Sequence, residues 1–140
     1  MRIRTTVRGE SGAAAVEFAL IAPLLFMILF GIMQFGIVWS QKEIFVQAAR
    51  EGARYAAVGC EKPLGCASTE VANRVVDASV GYPITGGTGA ITVTPNPGCS
   101  ATDTSQTVTV QWTQAFTIQI PFIPTMNINA PIKAVFRCES

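Results

Sequence analysis

Two sets of residues in this sequence carry chemistry by their type and placement. The first is Glu17, a lone carboxylate in the segment Gly12-Ala13-Ala14-Ala15-Val16-Glu17-Phe18, at the mouth of a long apolar run. A charge at membrane depth costs about 2.5 to 3.5 kcal/mol even on lenient insertion scales, so such a group marks a function or requires a partner. A plainer reading is that Glu17 marks the interface, one residue before the span. The second set is the four cysteines, Cys60, Cys66, Cys99 and Cys138, which allow three pairings. Pairing Cys60 with Cys66 closes a small loop around Lys62-Pro63-Leu64-Gly65. Pairing Cys99 with Cys138 ties the loop before the strands to the last strand, worth about 3 to 4 kcal/mol. A zinc site is disfavoured by the absence of any CxxC spacing.

Composition narrows the chemistry further. The chain has 140 residues, 49% apolar and 14% charged, against about a quarter charged in ordinary domains. Ten basic residues against nine acidic leave a net charge of +1, with no long basic run. No nucleic-acid footprint follows from that. Histidine is absent, which removes Ser-His-Asp and Cys-His catalysis and the commonest metal ligand. Asp77 and Asp103 are the sole aspartates, and Gly86-Gly87-Thr88-Gly89 reads as a flexible turn. No catalytic constellation, cofactor site or small-molecule substrate site is expected.

The elements that must position these residues begin with a span. Residues 18–39 are apolar except Gln34, and those 22 positions reach roughly 33 Å as a helix, enough for a hydrocarbon core of about 30 Å. Trp39 is expected at the far interface. Arg2, Arg4 and Arg8 outweigh Glu10 ahead of the span, which places residues 1–12 in the cytoplasm and the bulk of the chain outside. A secretory signal peptide fits less well: its apolar run spans about 7 to 15 residues, and no small-x-small pattern follows here. Pro23 lacks an N–H, so a kink or local melting near Ala19 is expected. Gly31 and Gly36 are five apart and form no close-packing pair.

Helical periodicity continues to about Val58. Phe45, Ala48, Ala49, Gly52 and Ala56 form one stripe, with Glu43, Gln47, Arg50 and Arg54 opposite. The small residues of that stripe let another element approach closely. Arg50 and Arg54 repel mildly at i, i+4 and invite partners, Glu51 among them.

The segment GAAAVEFAL resembles the processing site of type IV pilin-like proteins. In that family a basic leader ends in glycine, a prepilin peptidase cuts after it, and glutamate holds the fifth mature position. The resemblance implies Gly12 as the last leader residue, Ala13 as the new N-terminus, Glu17 as the fifth position and Phe18 as the aromatic sixth. It further implies that Glu17 pairs with the N-terminal amine of a neighbouring subunit during assembly. Residues 47–56, QAAREGARYA, resemble a signature of the TadE-like minor pilins of tight-adherence (Flp pilus) systems. Together the two motifs cover about residues 9–58.

Beyond Cys60 the composition turns to Gly, Pro, Ser and Thr. A short helix is expected over 68–80, with Val71, Val75 and Val76 inward. Strands are expected at 91–93, 107–112, 115–120 and 132–137, with 121–131 as a Pro-rich connection. The fold class is α+β: a long pilin-like N-terminal helix packed on a small antiparallel sheet, the sheet covering the Ala48/Gly52/Ala56 stripe. Four regions follow: a leader (1–12), a transmembrane half-helix (13–39), an amphipathic external half (40–58) and a disulfide-stapled external domain (59–140).

The function these expectations describe is that of a pilin-like structural subunit, not an enzyme. Its partners would be a prepilin peptidase, other pilin subunits, an inner-membrane assembly platform with a separate ATPase, and membrane lipid. The alternative is an uncleaved single-span protein whose external domain binds a ligand or an envelope component.

Overall fold

The computed structural model describes residues 10–58, 66–96, 98–99 and 107–138, with residues 10 and 11 as backbone. Helix α1 (Glu10–Val58) leads, followed by α2 (Ser68–Ala78), a 3-10 turn (Gly87–Ala90) and strands β1 (Thr92–Thr94), β2 (Thr107–Ile118) and β3 (Met126–Arg137). Among the described residues the strands form one antiparallel sheet in the order β1-β2-β3. A long helix lies against that sheet, so the class is α+β.

At 49 residues α1 is roughly 74 Å long. It is helical through both Ala19 and Pro23, so the expected local melting is not there. Proline removes one hydrogen bond, and the bonds on either side keep the chain helical.

The sheet differs from expectation more. The two runs expected at 107–112 and 115–120 merge into one strand, β2, which ends at Ile118, two residues short of the second run, and whose inward residues Val108, Val110, Trp112, Gln114 and Phe116 are all buried. Gln114 conceals this continuity, because a polar residue at an inward position interrupts the apolar alternation on which the reading depended. The 121–131 connection is also shorter. Strand β3 starts at Met126, pairing with Ile118, and runs through Pro131 opposite Thr113. Proline is tolerated because β3 is an edge strand, where a missing N–H need not break a ladder on both sides.

The buried stripe of α1 is wider than the sequence indicated. Ala53 and Ala57 join Phe45, Ala48, Ala49, Gly52 and Ala56. Two layers share it. The Gly52 line faces α2 rather than the sheet: a Cβ at Gly52 would collide with Val75 Cγ2 and come within 3.7 Å of Val71 Cγ1. Phe45 faces the sheet and packs edge-on to Trp112 and Phe116, with ring centroids 6.4 and 5.9 Å away. In α2 the fully inward residues are Val71, Ala72 and Val75, while Val76 is half-buried. At the far end Cys99 N–H donates to the carbonyl of Ala56 (3.3 Å), satisfying one of the last-turn acceptors a helix leaves open.

Candidate membrane and assembly segment

The bare half of α1 comes first. From Gly12 to Ser40 no residue is buried, and Phe18, Leu20 and Ile32 are 68, 75 and 68% exposed. No residue of the most apolar stretch of this helix is buried inside the protein, and it is long and apolar enough to cross a membrane. A helix that is apolar all round and uncovered needs an apolar surrounding. Gly12 and Ala13 lie in its first turns, and a Cβ at Gly12 would meet nothing. Glu17 is exposed between Val16 and Phe18. Arg2, Arg4 and Arg8, which carry the orientation expectation, lie outside the described residues.

The upper end of this half has an aromatic and cationic collar. The Phe35 and Trp39 rings stand 6.0 Å apart, and Lys42 Nζ lies 5.6 Å from the Trp39 ring centre. Aromatic rings beside a lysine of this reach are the usual furniture of a membrane interface.

The docked half follows at once. Phe45 is 3% exposed and touches Tyr82 as well as the two sheet aromatics, so three rings surround it. On the outer rim, Glu51 bridges two helices. One of its oxygens accepts from Arg54 Nε (3.2 Å), the other from Arg74 Nη2 of α2 (2.9 Å). The Arg54 guanidinium, then that of Arg74, holds the Glu51 carboxyl below its ordinary range. Arg50 is exposed.

Gln114 is the buried polar residue the sequence did not single out. Its Oε1 accepts from Trp112 Nε1 and from Thr85 N–H, both at 3.1 Å, and its amide nitrogen donates to Pro83 O at 3.3 Å. The segment 83–85 is thereby laid along β2, so the residue serves architecture. Its place in the even-numbered register from 108 to 116 was the available signal.

Of the four cysteines, Cys99 and Cys138 are brought together in a disulfide, with Cα atoms 5.7 Å apart and 39 positions between them in sequence. Cys66 is also disulfide-bonded. Cys60 and the loop 62–65 lie outside the described residues. Among the described residues no three of His, Cys, Asp or Glu come together as a metal site requires.

Fold and segment thus define a class: a small α+β domain carried on one helix that is long and apolar enough to cross a membrane. Residues 12–54 of that helix match the family model of TadE-like protein, so the bare half and most of the docked half are similar to TadE-like proteins. The match suggests a protein associated with the tight-adherence pilus. It stops before α2 and the sheet. No curated protein and no solved structure matches the chain.

Proposed function

We propose that this chain is a pilin-like subunit, a minor pilin of a tight-adherence (Flp) pilus, acting by assembly and not by catalysis. The observation that carries the reading is the coincidence of the TadE-like match, beginning at Gly12, with a half-helix in which no residue from Gly12 to Ser40 is buried. A prepilin peptidase cuts between Gly12 and Ala13. The mature chain is held in the cytoplasmic membrane with its domain outside, then packs its bare half-helix among those of other pilins. In that bundle Glu17 meets a neighbour's N-terminal amine, which gives the carboxylate the partner that a buried charge requires.

The test is the intact mass and N-terminal sequence of the protein taken from membranes of cells holding the matching peptidase. A chain beginning at Ala13 supports the proposal. A chain retaining Met1 favours an uncleaved anchored protein, and one beginning after Trp39 means a secreted domain. A second measurement addresses assembly: Glu17→Ala is expected to insert normally, since it removes a charge from an apolar helix, while losing incorporation into pili. Normal piliation in that variant would remove Glu17 from the mechanism.

A further inference from the structure

The β2–β3 hairpin runs lengthwise along α1. Its strands are 12 residues each, about 40 Å, and its tip reaches back to the level of Phe30 and Gln34. There, residues Gln119, Ile120, Pro121, Ile123 and Thr125 form one shallow groove with those two helix residues. Phe30 and Gln34 belong to the segment that the proposed function places in the membrane, and the following inference rests on that placement.

We infer that the hairpin tip, residues 119–126, is a second membrane contact, seated in the outer interfacial layer of the bilayer beside α1. Three observations carry this. First, the tip presents apolar side chains outward: Phe122 is 89% exposed, Met126 50% and Ile123 39%. Second, between Asp103 and Lys133 the sequence has no charged residue, so no charge at the tip resists an apolar surrounding. Third, the height agrees. With the span counted from Ala13, the first residue of the mature chain in the proposed function, rather than from Phe18, about 33 Å of helix ends at Gln34, and Trp39 then stands roughly 7 Å higher, within the headgroup layer. The tip therefore lies at the hydrocarbon boundary. An irregular loop belongs there and not deeper, because its open backbone groups still require water or headgroups.

Local construction fits the same role. Phe122 has φ of +67°, a conformation that favours glycine, yet the residue is a large aromatic turned into the open. Pro121 and Pro124 flank it and lack N–H groups, which leaves fewer donors to satisfy at the boundary.

Fluorescence of the full chain in phosphatidylcholine–phosphatidylglycerol vesicles, with part of the phosphatidylcholine brominated near the top of its acyl chains, tests this. Wild type against Trp39→Phe isolates Trp39 and reports the span. Trp39→Phe/Phe122→Trp against Trp39→Phe isolates the tip, and Ile123→Trp in the same background gives an independent second probe. The expected result is blue-shifted tip emission, quenched to an extent comparable with Trp39. Quenching of Trp39 without quenching of either tip probe overturns the inference and leaves the span intact, the tip then facing water or another subunit. Absence of quenching at Trp39, with release of the chain from vesicles, overturns the span and the inference with it.

Discussion

The two halves of α1, one apolar all round and the other apolar along one face only, meet opposite surroundings. The bare half uses Phe, Leu, Ile and Met, and leaves them open. The docked half uses Ala and Gly, each at 3% exposure or less where Ala48, Ala49, Ala53, Ala56 and Ala57 face the domain. The difference teaches that side-chain size, more than hydrophobicity, announces what covers a helix. Large side chains fill a fluid surrounding that adapts to them, whereas a folded layer of fixed shape needs small residues to come close.

That contrast can be broken experimentally, beginning where the domain is tied shut. Cys99→Ser is expected to cost about 4 kcal/mol, seen as a large drop in melting temperature and in steady-state abundance. Unchanged melting would mean that the bridge contributes nothing.

Next in size is a matched pair of glycines. Gly52→Ala should cost about 1 to 3 kcal/mol, because the new methyl collides with the stiff, buried Val75. Gly31→Ala in the bare half should cost nothing, since a Cβ there meets open space. Equal melting of the two variants would erase the distinction between the halves.

Gln114→Ala is expected to cost about 1 to 3 kcal/mol as well, by leaving the Trp112 Nε1–H and the Thr85 N–H without their acceptor. Thermal unfolding alongside Gln114→Met, which keeps the volume and loses the acceptor, separates the lost hydrogen bonds from lost volume.

The smallest effect concerns pH. The Glu51 carboxyl is held below its ordinary value in the folded chain. Its contribution is therefore present above the unfolded carboxylate range and is lost as the pH falls through the folded value. Arg74→Ala should reduce this acid-side loss slightly, and an unchanged pH profile would mean the α1–α2 bridge is screened by solvent.

Much of this was legible in the sequence, and where it was not the reasons are specific. The helix from Glu10 to Val58 announced itself through a run of large apolar residues followed by a small-residue stripe at helical spacing. The split of β2 came from Gln114, whose inward position is stabilised by tertiary partners at Thr85 and Pro83 that no local pattern displays. The start of β3 was hidden by Pro131, which an edge position alone makes acceptable. That α2 takes the Gly52 face was equally invisible. The inward valines of α2 showed that it packs, while the choice of partner was made by a glycine nineteen positions or more upstream. Of the candidate site, the bare span was readable. The hairpin tip beside Phe30 was not, because its height on the helix depends on the full length of two paired strands.

The capping of Ala56 by Cys99, together with the bridge from Cys99 to Cys138, fastens the hairpin to the far end of α1 and leaves its tip some 40 Å away. Mechanically this is a lever with its fulcrum at the disulfide. A tilt of about 5° at the fastened end displaces the tip by about 3.5 Å over that length. Between fulcrum and tip, Phe45 grips Trp112 and Phe116, so a repacking near Ala56 reaches the height of Phe30 and Gln34 only where that aromatic clamp yields.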